Sequence, residues 1–125
     1  MKKGKNAKRR RIDVCIDVNI AISFYQIVIQ RRVILRRAIE GVLQHWATLP
    51  VEEQTIFVGQ KQQLVGADMA IHRRISSLVV VEVADKFFQQ VEDYGCSIKD
   101  GFEAAVRCWI NLPAKKQVET IKRGT

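Results

Sequence analysis

The sequence predicts an α+β fold, mostly helical, in which two tandem strand–helix–helix units form a single-chain pseudo-dimer around a two-stranded antiparallel ribbon. Three observations predict it. Residues 10–50 recur without a gap as residues 73–113, each copy opens on alternating apolar and polar residues, and each closes on an amphipathic helix ending in Trp-x-x-Leu-Pro. At this offset of 63, 12 of 41 positions are identical, among them Arg10/Arg73, Phe24/Phe87, Val28/Val91, Glu40/Glu103, Trp46/Trp109 and Pro50/Pro113. Pairing at background composition would give roughly 6–7% identity, so the match is several times chance. A period of this length marks a repeated supersecondary unit.

Residues 1–9 read as a basic arm. From Arg11 the pattern has period two, with Val14, Ile16, Val18 and Ile20 on one face and Asp13, Cys15, Asp17 and Asn19 on the other, the alternation of a half-buried strand. The offset maps this strand onto Ser77, Val79, Val81 and Val83 inward, with Ser76, Leu78, Val80 and Glu82 outward. A short helix follows in each unit, 21–31 and 85–94, with Phe24 and Val28 matched by Phe87 and Val91 at the i, i+4 spacing of one buried face. In the second unit Gly95 ends that helix and Ser97 caps the next. The first unit has Arg31-Arg32-Val33-Ile34 there, without glycine or cap. The closing helices, 35–46 and 98–109, match face for face: Leu35, Ala38, Ile39, Val42, Leu43 and Trp46 against Ile98, Gly101, Phe102, Ala105, Val106 and Trp109. Two such faces bury each other when the units pack as a pair. A unit of about 40 residues with a lone strand lacks the core to stand alone.

Residues 51–72 join the units. Pro50 followed by Val51, Glu52 and Glu53 is a helix start, with acids suited to the positive end of the helix dipole, and Gly59 and Gly66 are expected to break it. The tail, 114–125, repeats that helix and then frays. The domains are thus an arm (1–9), a first unit (10–50), a partly helical linker (51–72), a second unit (73–113) and a tail, with 10–113 one compact domain.

The net charge is +8, and its placement matters more than its size. Seven of the 21 Lys and Arg lie in residues 1–11, leaving 14 against 13 Asp and Glu, so a nearly neutral body carries a cationic arm. Such an arm contacts nucleic acid. Asp13, Asp17 and Asn19 interrupt any apolar core of a secretory signal, and no run approaches 18 apolar residues, which excludes a membrane span and points to the cytoplasm. Three cysteines, Cys15, Cys96 and Cys108, without CxxC spacing, fit a reducing compartment and read as packing residues. No metal or other cofactor is expected. No nucleophile elbow, P-loop or HExxH is present, and the carboxylates read as solvated faces, so an enzyme is not expected.

Strand, helix, turn, helix resembles the ribbon-helix-helix family over both halves, most clearly over residues 79–109. The tandem arrangement is similar to accessory DNA-binding proteins of conjugative and T-DNA transfer, of the TraY and VirC-operon types; Ile34-Leu35-Arg36-Arg37-Ala38 and residues 77–81 carry that likeness. The resemblance implies a ribbon in the major groove of double-stranded DNA, with phosphates held at the N-termini of the second helices, and relaxase or other DNA-processing proteins as further partners of a monomeric pseudo-dimer. Carried onto this sequence, the contacts are Lys2, Lys3, Lys5, Lys8 and Arg9 in the arm, Arg10, Arg11, Arg73 and Arg74 where the strands begin, Asn19 at the ribbon edge, Arg31, Arg32 and Arg36 around the first turn, and Ser97 and Lys99 at the second. The outward strand residues as read here include three carboxylates and no Arg, Lys or Gln, which argues for an arm-driven mode and against base readout. The alternative is a protein-interaction adaptor in which Leu78 and Val80 face a partner.

Overall fold

The computed structural model describes residues 8–64 and 71–123, with the side chains of 60–64, 122 and 123 left aside. Two strands and six helices follow in the order β1 (Arg9–Asp17), α1 (Val18–Arg31), α2 (Leu35–Thr48), α3 (Val51–Leu64), β2 (His72–Val80), α4 (Val81–Tyr94), α5 (Ile98–Ile110) and α6 (Ala114–Arg123). The fold is α+β and mostly helical, with one two-stranded antiparallel sheet. Each element of the second half begins 63 residues after its counterpart, strand to strand and helix to helix.

The strands sit earlier in the chain than the alternation predicts. β1 begins at Arg9, so the arm gives Arg9–Arg11 to the sheet, and its inward residues are Ile12, Val14 and Ile16. In β2 the buried residues are Ile75 and Val79, with Ser77 half-buried between them. Val18, Ile20, Val81 and Val83, expected inside the strands, lie in the first turns of α1 and α4. The reason is local at the first junction: the Asp17 carboxylate accepts hydrogen bonds from the backbone N–H of Asn19 (2.8 Å) and Ile20 (3.3 Å), which caps a helix and ends the strand. The strand register is centred on Asp13 facing Ser76, two positions themselves 63 residues apart.

The halves are sewn together reciprocally. Glu40 of α2, 3% exposed, accepts the Val80 N–H at 2.9 Å, while Glu103 of α5, 1% exposed, accepts the Asp17 N–H at 2.7 Å. Each glutamate therefore holds the strand–helix junction of the opposite half. The Val18 N–H bonds the Ile71 carbonyl and the Val81 N–H the Lys8 carbonyl, again across the halves. Between the halves Phe24 meets Trp109 edge to face, with ring centroids 5.6 Å apart. The third helices close over the core crosswise, α3 against α5 and α6 against α2. Gly41 on α2 allows the approach of α6: a Cβ there would lie 3.1 Å from Thr120 Oγ1 and 3.2 Å from Ile121 Cγ1.

Two turns differ from expectation. Arg32 takes the left-handed conformation, φ 58°, where the second half uses Gly95, φ 74°, so the same helix stop is made without glycine. Gly59 does not break α3, which runs on to Leu64; Gly66 lies outside the described residues. Among the described residues no single helix is long and apolar enough to cross a membrane, and α1 and α2 diverge by 111°.

Candidate nucleic-acid interface

Strand alternation sends Arg9, Arg11, Asp13 and Cys15 of β1 and Arg74, Ser76 and Leu78 of β2 to the outer face of the ribbon. The two to four residues by which the strands begin early decide its chemistry. Asp17 and Glu82, expected on this face, belong to the α1 cap and to α4. Arg9, Arg11 and Arg74 join the face, and of its carboxylates Asp13 lies at the centre while Asp17, at the end of β1, turns its carboxylate to the α1 cap. The expectation of an acidic ribbon face without arginine is therefore corrected. Arg74 grips both oxygens of Asp13, Nε at 2.6 Å and Nη2 at 2.5 Å, and this hydrogen-bonded fork holds the Asp13 carboxyl below its ordinary range. At the related position Arg11 Nη1 donates to Ser76 Oγ at 2.9 Å. Arg11 and Arg74 are 63 residues apart, so two guanidiniums lean symmetrically toward the central Asp13–Ser76 pair. Both pairs are exposed and release their arginines at little cost.

Arg10 and Arg73 have the opposite strand parity and are occupied at the ribbon ends. The Arg10 guanidinium lies 4.3 Å from the centre of the Phe88 ring and bonds Asp85 at 2.7 Å; Arg73 lies 5.0 Å from the centre of the Tyr25 ring. Lys8 and Arg9 are exposed where β1 begins. Lys2, Lys3 and Lys5 lie outside the described residues.

The starts of α2 and α5 differ. In α2 the N-cap Ile34 offers no side-chain acceptor and the first turn holds no acid, leaving its amides available beside Arg32 and Arg36. Arg36 is partly exposed, with Nη1 3.6 Å from Glu40. In α5 the Ser97 hydroxyl accepts the Asp100 N–H at 3.0 Å, and Asp100 adds a carboxylate to the turn that also carries Lys99. The first helix start is thus the more anion-attracting of the two.

Two predicted contacts are placed elsewhere. Arg31 Nε donates to Gln117 Oε1 of α6 at 2.9 Å, tying the end of α1 into the core. Asn19 is in the first turn of α1, beside a groove it shares with Phe57, Arg107 and Asn111, rather than on the outer ribbon face. Cys15, read as packing, is exposed on that face, while Cys108 is buried. What the sequence reading missed is the pairing of Arg11 and Arg74 across the centre. The repeat narrows the centre of the ribbon to some pair of residues one repeat apart, a condition that every equivalent pair meets; the register across the ribbon is what makes that pair Asp13 and Ser76.

No protein-family model, curated protein or solved structure matches this chain.

Proposed function

We propose that this chain is a non-enzymatic, double-stranded DNA-binding protein built as a tandem single-chain ribbon-helix-helix pseudo-dimer, serving in the cytoplasm as an accessory factor of DNA transfer and processing or as a repressor. The observation that carries the reading is the outer ribbon face, where Arg9, Arg11 and Arg74 project from a two-stranded sheet of the width that the major groove admits. Arginine is the commonest specific reader of guanine, and each good bidentate contact is worth about 1–3 kcal/mol of discrimination. The α2 start, with Arg32 and Arg36, supplies phosphate contacts, and the arm adds sequence-independent attraction. Ribbon readout and arm attraction therefore act together. The single-chain pairing of strands one repeat apart supports the pseudo-dimer.

The test is binding to a labelled duplex under a salt titration with random competitor. Residues 9–11 are strand, so the informative truncation removes residues 1–7 only. That deletion removes Lys2, Lys3 and Lys5, three of the seven arm charges, and should reduce a log–log salt slope near −6 by about 3, while competitor-resistant binding survives. R11A/R74A should abolish resistance to competitor with the fold intact. If R11A/R74A binds like the wild type, or the intact chain fails to bind any duplex near physiological salt, the reading is wrong. In the second case the exposed Leu78, 42% accessible in the middle of the face, favours the adaptor alternative.

A further inference from the structure

α1 and α4 occupy equivalent places and bury equivalent residues: Ala21, Phe24 and Val28 in one, Ala84, Phe87 and Val91 in the other. Their outer faces share an exposed glutamine, Gln26 and Gln89, and differ in charge. α4 presents Glu82, Asp85, Lys86, Gln89, Glu92 and Asp93 to solvent, as a surface helix does. α1 presents Asn19, Ile22, Gln26, Ile29 and Gln30, with no charge from Val18 to Gln30. Ile22 is 41% and Ile29 74% exposed. Among the described residues, packing inside the chain does not explain this face, because α4 meets the same internal demands with a charged one.

We propose that the outer face of α1 is an interaction surface on which a second copy of this chain seats, α1 antiparallel to α1 about a two-fold axis. In that arrangement Ile22 of each copy lies against Ile29 of the other, and the Gln26 amides meet at the centre, where they can bond each other. No like charges face one another: the Arg32 residues that follow the helix fall at opposite ends, about 20 Å apart at 1.5 Å per residue. The same arrangement of α4 would set Asp85 against Glu92 twice, which repels. The asymmetry between α1 and α4 thus closes the assembly at two copies, since the second half offers no equivalent surface for a third. A helix face about 20 Å long and about 10 Å wide offers far less than the roughly 800 Å² per partner of stable complexes, so the pair forms at high local concentration and the micromolar chain stays single. This inference stands whether or not the chain binds DNA.

The test is sedimentation equilibrium of the full chain without DNA, from about 1 µM to about 500 µM. A rising dimer fraction is expected toward the upper end. I29E and I22K, both surface changes whose fold is checked by circular dichroism, should each weaken self-association by at least roughly tenfold. The double variant I22K/I29E sets opposite charges face to face in the antiparallel pair and should dimerise again. A wild type that stays monomeric throughout, an I29E variant that dimerises like the wild type, or a double variant that stays monomeric would each overturn the proposal.

Discussion

Replacing Glu103 by alanine should markedly destabilise this protein. Its carboxylate is 1% exposed and accepts the Asp17 N–H at 2.7 Å, at the junction where β1 becomes α1. A hydrogen bond from an N–H to a carboxylate contributes about 1.5–3 kcal/mol, and the N–H left buried without a partner adds about 1–3 kcal/mol of its own. Because the two overlap, a loss of about 3 kcal/mol is expected. For a chain of this length the unfolding entropy is about 0.26 kcal/mol/K, so Tm should fall by about 11 °C. Glu40→Ala removes the equivalent bond to Val80 and should cost a similar amount. Glu103→Gln keeps an acceptor oxygen and should recover more than half of the loss. The assay is thermal unfolding followed by circular dichroism, with urea denaturation as a second measure. A Glu103→Ala variant melting within about 2 °C of the wild type would refute the reasoning, because the crosswise glutamates would then hold nothing.

Arg32→Gly relieves a left-handed residue that costs about 1–2 kcal/mol, partly offset by the freer unfolded chain, so Tm should rise by a few degrees, about 4 °C for a net 1 kcal/mol; the reciprocal Gly95→Ala should lower it. Carbon-13 NMR titration of Arg74→Ala should find the Asp13 carboxyl moved up toward its ordinary 3.8, because the guanidinium fork that depresses it is gone. Burial pushes the Tyr94 phenol up to about 12 from 10. The unfolded chain then loses its proton first, so the contribution of Tyr94 is present below pH 10 and lost by about pH 12; Tyr94→Phe should flatten that part of the Tm–pH curve. A thiol reagent should modify Cys15 in the native protein, whereas Cys108, buried and with its thiol pushed up to about 11, should react only on unfolding.

Much of this architecture is legible in the amino-acid sequence because the repeat compares the chain with itself. The matched faces around Trp46 and Trp109 place α2 and α5, and Pro50 and Pro113 announce the helices that follow. The strand frame was harder to read. Val18 and Ile20 continue the β-branched alternation past the true end of β1, and only the Asp17 cap, together with a glutamate 86 residues away, ends it. Arg9–Arg11 look like an extension of a charged arm because nothing local distinguishes an exposed strand end from a tail; β2 across the ribbon makes the difference. Gly59 failed as a helix breaker because a single glycine costs only about 1 kcal/mol relative to alanine. The fate of Arg31 was not readable locally, since Gln117 reaches it from the far end of the chain.

The central pair of the ribbon has one more consequence. In an assembly of identical chains a residue on the two-fold axis faces its own copy, so an aspartate there would meet an aspartate and the two carboxylates would repel. Here the facing position is Ser76, and Asp13 keeps a single, unopposed charge that one arginine can clasp with both arms of its fork. Joining the halves in one polypeptide frees the axis from self-matching, and chemistry that mirror-like partners must forgo becomes available at the middle of the ribbon.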